Sequence, residues 1–280
     1  MKILVTNDDG WYAKGIQTLV EIVRPYGEIC VIAPKKHQSG MSMAVNLGRS
    51  PIAVKKIKDE PGVSWWYLDG TPSSCVKFGI DNIYFPEKPD LVLSGINHGG
   101  NYGTAYCYSG TIGAASEGAL AGISSIAVSL DAFKADADFS AVSKLFPAIL
   151  EKLIENHSRD YGMIYNVNFP ALPASEIKGV RLAKQAVMRW EREFQPFDHK
   201  TFEMLSVMTM GRSAEDFPMP EDGEEQYMMV GEVVNDSAAD PLADMNLIRQ
   251  GYVTISCHRL LSHDLEENAR LAALGIESIL

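Results

Sequence analysis

Residues 2–10, KILVTNDDG, pass from a buried-strand pattern to two adjacent carboxylates within a few positions, and this junction constrains the fold more than any other stretch. Ile3, Leu4 and Val5 form an apolar run with a β-branched bias, and Asn7, Asp8, Asp9 and Gly10 end it as a turn does. The next segment, 15–27, sets Ile16, Leu19, Val20 and Val23 on one helical face. Strand, sharp turn and helix follow in that order, so Asp8 and Asp9 fall at the carboxyl end of a first strand. In an open α/β sheet that edge is where ligands bind. Two neighbouring carboxylates there repel each other unless a proton or a cation lies between them, and a divalent metal is the simplest resolution. The competing reading is that both merely close the turn ahead of the helix.

The same unit recurs. Residues 28–34, EICVIAP, are a second buried run, and the polar loop after it puts Ser39 at the end of a second strand. Residues 89–95, PDLVLSG, are a third, running into INHGGNYG, where Asn97 and Asn101 stand among glycines that bring backbone close to something. Ser109, Gly110 and Thr111 then lead into a small-residue helix whose first-turn N–H groups suit a phosphate. Strand patterns over 52–58, 65–68, 124–130 and 163–170, a short helix over 73–81 and an amphipathic helix over 139–156 complete an alternation that marks parallel crossover units. After about residue 175 the character changes. β-like pieces over 180–187, 204–210 and 226–233, joined by charged, proline-containing loops, suggest a projecting antiparallel arm. A strand over 251–260 and a helix over 264–274 close the chain. The expected organisation is an α/β core over 1–175, the arm over 176–250 and a strand and helix returning to a core over 251–280.

Composition narrows the partners. The chain has 36 acidic against 25 basic residues, and a formal charge of −11 opposes binding to a nucleic-acid polymer. An anionic substrate needs local help, from a metal or a helix N-terminus. Cys30, Cys75, Cys107 and Cys257 are scattered singly, which fits neither a zinc site nor a disulfide framework, so they are read as reduced. The first residues lack the pattern of a signal peptide and no apolar run approaches about 18 residues, so no membrane partner and a cytoplasmic location are expected.

If the three runs are parallel neighbours, Asp8, Asp9, Ser39 and Asn97 face one crevice. All offer oxygen, which suits a hard cation such as Mg²⁺ or Mn²⁺ better than zinc, with water and a substrate phosphate completing the coordination. The glycine-rich loop is no P-loop, for it lacks G-K-[ST]. His98 and His37 read as hydrogen-bonding loop residues, His258 and His263 as structural, Trp65–Trp66 as core, and the Met204, Met208 and Met210 cluster as packing or subunit contact. Two other classes compete with an enzyme: a receiver-like Mg²⁺-binding signalling module and a non-enzymatic, metal-stabilised oligomer. The first requires an aspartate where this chain has Asn97.

Five ordered motifs carry a resemblance: NDDG-x-x-A-x-GI from Asn7, AP-x-x-x-QSG from Ala33, GTP from Gly70, SGIN-x-G-x-N-x-G from Ser94 and YSGT-x-GAA-x-EG from Tyr108. Together they resemble the survival-protein SurE family of 5′-nucleotidases. The resemblance implies a Rossmann-like three-layer core and a homodimer or homotetramer with exchanged C-terminal segments. It also implies metal-dependent hydrolysis of nucleoside monophosphates to nucleoside and phosphate, extending to 3′-nucleotides and short polyphosphate. One divalent ion per subunit is then held by Asp8, Asp9, Ser39 and Asn97. In the mechanism expected for such a site, donors from Asn101, Ser109, Gly110 and Thr111 cradle the phosphate, and Asp8 and Asp9 are named together as the catalytic pair, with which of them takes the water's proton left open. Ser109 is either a helix N-cap or a phosphate ligand, and the small residues that follow favour the ligand.

Overall fold

The computed structural model describes residues 1–48, 50–158, 160–197, 202 and 220–274. The opening apolar run is β1 (Lys2–Thr6), and the face predicted for the next segment is buried in α1 (Lys14–Val23). β2 (Glu28–Pro34) lies parallel to β1 on one side, and β5 (Leu91–His98) lies parallel to it on the other. Between them in sequence come β3 (Val54–Glu60), β4 (Val63–Leu68) and α2 (Pro72–Phe78). α3 (Ala105–Tyr108), α4 (Gly110–Leu120), β6 (Ser124–Leu130), α5 (Ser140–Glu155) and β7 (Met163–Phe169) follow.

The nine-stranded sheet has the order β3-β4-β2-β1-β5-β6-β7-β13-β8, where β8 is Val180–Leu182 and β13 is Val253–Arg259. β4, β2, β1, β5, β6 and β7 are parallel, whereas β3 and β13 run antiparallel to their inner neighbours. The chain leaves β1 towards β2 and β4, then returns to the far side of β1 as β5. The switch point therefore lies between β1 and β5. Alternation along β1 builds both layers. Ile3 and Val5 pack with Ile16, Leu19 and Phe146 of α1 and α5, while Leu4 packs with Cys75, Val76 and Ala114 of α2 and α4.

The C-terminal third departs from the expectation in three places. The piece expected over 180–187 contributes β8 to the core sheet edge, because its ladder continues along β13 through Val253 N–H to Gly179 and Ala183 N–H to Ile255. The arm is instead made of two short antiparallel pairs: β9 (Met188–Glu191) with β12 (Glu232–Asn235), and β10 (Phe194–Pro196) with β11 (Tyr227–Met229). The piece expected over 204–210, with its methionine cluster, lies outside the described residues. α6 (Asp244–Arg249) precedes β13, and α7 (Leu265–Ala273) follows it with Asp264 as N-cap but with no buried residue. The strand returns to the sheet, whereas the helix buries none of its residues. Among the described residues no helix is long and apolar enough to cross a membrane.

Candidate active site

Asn7, not Asp8 or Asp9, closes the turn after β1. Its side chain donates to Gly10 O at 3.0 Å and accepts from Gly10 N–H at 3.2 Å. Both following carboxylates are released from that task, yet they are buried, at 3% and 1% exposure. Asp8 Oδ1 accepts from Thr111 Oγ1 at 2.7 Å and Oδ2 from Thr111 N–H at 3.1 Å. Asp9 Oδ2 accepts from His98 N–H at 3.1 Å, and its Oδ1 lies 3.5 Å from His37 Nδ1. Burial pushes the Asp8 carboxyl above the usual carboxylate range, against the pull of the Thr111 donors. Asp9 is pushed well above that range, first by burial and then by the Asp8 charge.

Asn97 is the penultimate residue of β5, beside them. Its Nδ2 donates to Gly99 O at 2.7 Å, which turns Oδ1 towards Thr111 Oγ1, 3.4 Å away on the Asp8 side. Ser39 is exposed on the loop after β2, and that loop is tied down by Gln38 N–H donating to Asp8 O at 2.7 Å. Asp8, Ser39, Asn97, Asn101 and Ser109 line one crevice of about 580 Å³; Asp9 sits behind it, against His98 and His37. Among the described residues, no lysine or arginine lines the crevice.

The donors at the start of α4 differ from their expected use. Thr111 donates through both N–H and hydroxyl to Asp8, and the Gly110 N–H acts on the same carboxylate. The helix N-terminus thus faces a buried carboxylate of its own chain, which takes the place expected for a phosphate. Gly110 makes this possible, for a Cβ there would stand 2.9 Å from Asp8 Cβ and 3.0 Å from Asp8 Oδ2. Ser109 is the N-cap, its Oγ accepting from Ile112 N–H at 3.2 Å, while its own O–H is left to donate into the crevice.

Asn101 is held on three sides. Its N–H donates to Asn168 Oδ1 at 2.8 Å, its C=O accepts from Asn166 Nδ2 at 2.7 Å, and its Nδ2 donates to Ser129 Oγ at 2.9 Å. The sequence reading missed Asn166 and Asn168, although NVN at the end of a buried strand was the available signal. It also gave His37 no place beside Asp9. His98 is a strut: Nδ1 donates to Lys134 O at 2.9 Å, the ring meets Phe139 edge-on at 5.0 Å, and burial holds its pKa below the usual value.

The donor set fits a hard cation. Two buried carboxylates at one corner, an amide oxygen oriented towards them and a hydroxyl on the same crevice all offer oxygen, and among the described residues no lysine or arginine of the crevice wall neutralises them. Fold and site together define a doubly wound α/β protein with an acidic, oxygen-lined crevice at its switch point.

Comparison places it within that class. The family model for Survival protein SurE matches residues 3–192, and the chain belongs to that family. A 5′-nucleotidase SurE from Synechococcus elongatus is 36% identical over 283 aligned residues, covering 98% of each chain. Another from Cytophaga hutchinsonii is 38% identical over 218 residues, covering 76% of this chain and 83% of its own. The crystal structure of the SurE protein from Aquifex aeolicus superposes with a TM-score of 0.76 at 28% identity, covering 98% of this chain and 100% of that one.

Proposed function

We propose that the chain is a metal-dependent 5′-nucleotidase that hydrolyses nucleoside 5′-monophosphates to nucleoside and phosphate. The observation that carries this is the pair of buried carboxylates at the switch point, in a crevice whose described wall has no lysine or arginine. A phosphate enters such a site only with a cation, so Asp8, Asp9, Ser39 and Asn97 are assigned to hold one divalent ion, Mg²⁺ or Mn²⁺. When bound, that ion supplies charge neutralisation and water activation.

The chain's own groups do the rest. Thr111 and Gly110 fix the Asp8 carboxylate, and the His98 N–H fixes Asp9. The Ser109 hydroxyl and the second N–H of Asn101 Nδ2 are the donors offered to the phosphate oxygens. Because the floor grips phosphate, 3′-nucleotides and short polyphosphate belong to the same proposal. So does a homodimer or homotetramer, supported by α7, which buries none of its residues and leaves Leu265 68% exposed. A cytoplasmic site of action is supported by four free thiols, two of them buried.

Phosphate release from AMP with Mg²⁺, Mn²⁺ and Co²⁺, before and after exhaustive EDTA treatment, tests the assignment. Release that stops with EDTA and returns with the ion is expected. Undiminished turnover in EDTA sinks the metal dependence, and no release under any condition sinks the enzyme in favour of a metal-binding module.

A further inference from the structure

The crevice has two ends of unlike chemistry. Opposite the oxygen-lined floor, its wall is made by Tyr108, Phe133, Trp190, Met229 and Glu193, most of it supplied by the arm. Between the β9–β12 pair and the β10–β11 pair the arm has a joint, at Arg192–Glu193 on one strand and Val230–Gly231 on the other. Val230 N–H donates across it to Glu193 O at 2.7 Å. Gly231 lets the strands cross there, for a Cβ would stand 2.9 Å from Glu191 O and from Glu193 Cα. The joint lays the arm over the mouth of the crevice instead of away from it.

This wall is unfinished as it stands. Tyr108 is 57% exposed, Phe133 47% and Met229 70%, although all three border a cleft. The rings of Tyr108 and Trp190 meet at 5.8 Å and 71°, forming an aromatic corner on which a flat ring can stack. Glu193 is half-buried on the same wall. Glu191 and Asp236 on the same arm are both paired with Arg189, whereas among the described residues the Glu193 carboxylate has no hydrogen-bond or ion-pair partner. An acceptor-only group beside an aromatic corner calls for an occupant that is planar and donates along one edge. The cavity, about 580 Å³, is of the size that takes a small-molecule ligand whole.

We infer that the arm joint is a purine seat in which Glu193 selects guanine, an inference that rests on the nucleotidase proposed above. With the phosphate on the floor, the base stacks on the Tyr108–Trp190 corner, and guanine N1–H and N2–H both donate to the Glu193 carboxylate. Hypoxanthine keeps N1–H and lacks the amino group. Adenine turns one N6–H and the N1 lone pair to the same carboxylate, so it offers one donor where guanine offers two, and a repulsion is added. The order of kcat/KM is therefore GMP, then IMP, then AMP.

The test measures kcat/KM for GMP, IMP, AMP and base-free ribose 5-phosphate on the wild type, Glu193→Gln, Trp190→Ala and Trp190→Phe, with light scattering on each. Wild type should favour GMP over AMP by about tenfold, the scale set by one charge-assisted hydrogen bond. Glu193→Gln, which offers adenine both a donor and an acceptor, should bring that ratio to about one or invert it. Trp190→Ala should lower the ratio of GMP to ribose 5-phosphate by about tenfold, and Trp190→Phe should restore most of it. A GMP to AMP ratio near one that Glu193→Gln leaves in place overturns the seat while the nucleotidase stands. The same holds if Trp190→Ala changes the oligomer mass and leaves every substrate ratio alone, since a second copy then covers the wall. No phosphate from any of the four substrates overturns both proposals.

Discussion

The floor and the roof of one crevice are built by opposite means. On the floor, Asp8, Asp9, Asn97 and Thr111 are buried at the ends of parallel strands or at a helix start, and each side-chain position is set by hydrogen bonds, across elements for Asp8, Asp9 and Thr111 and to Gly99 O for Asn97. On the roof, strands of three and four residues carry the wall, and Met229 and Phe194 stand mostly exposed. Only the root of the roof is bolted down. Buried Asp244 accepts from Gly103 N–H and Ala186 N–H, both at 3.0 Å, and Thr104 Oγ1 donates to Met188 O at 2.6 Å. Charge placement for chemistry demands the first kind of construction, because an error of a fraction of an ångström is costly there. Recognition of a base tolerates the second.

The largest expected effect breaks the floor. Asp9→Asn keeps an acceptor for the His98 N–H and removes the charge, so phosphate release should fall to the level of the blank. In the metal-free protein the same change removes a buried like-charge neighbour, and the melting temperature should rise. A variant with normal rate and normal metal affinity would reduce Asp9 to an anchor for the His98 N–H. The comparison is sharpened by adding one carbon to each half. At Gly110 the new Cβ crowds Asp8, and kcat/KM should drop by about 10–100-fold for every substrate alike, ribose 5-phosphate included. At Gly231 it crowds Glu191 and Glu193, and the ratios among nucleotides should shift by about threefold to tenfold with little change in melting temperature. If Gly231→Ala slows all substrates equally, or Gly110→Ala changes only their ratios, floor and roof do not divide the work.

The same division governs what the sequence discloses. Asp8, Asp9 and Asn97 were legible because a buried run that breaks into polar residues marks a strand end, and strand ends in parallel sheets share an edge. The six parallel strands were legible for the same reason. What Thr111 does was not, since an N–H at a helix start suits a phosphate and a carboxylate equally, and only the fold brings Asp8 to it. The arm was legible as antiparallel but not as a roof. Strands such as Phe194–Pro196 are too short to show a period, and the bend at Glu193 depends on a crossing that no local pattern records. Val180–Leu182 carries a strand composition with no sign of which sheet it joins.

The smallest expected effect concerns the layer beneath the floor. His258 Nε2 lies 2.9 Å from Ser256 Oγ, Asn166 Nδ2 reaches the same oxygen at 3.5 Å, and Asn166 also holds the Asn101 carbonyl. The imidazole stacks on Tyr106 at 3.9 Å and 19°, directly under the loop that carries Asn101 to Ser109. Burial pushes its pKa down from 6.5 to about 4. The folded state therefore binds the proton less well than the unfolded chain. The stability this contributes is complete above about pH 6.5 and is lost as pH falls towards 4. Melting temperature should accordingly fall on acidification through that window, and less in His258→Phe, which keeps the stack and cannot charge. Equal acid slopes in the two proteins would show that the imidazole is solvated enough to titrate freely. The roof, with short exposed strands and surface ion pairs, should show no comparable dependence, so protection from hydrogen exchange, taken relative to the intrinsic rate at each pH, should fall on mild acidification in the 97–103 loop before it changes along β9 and β12.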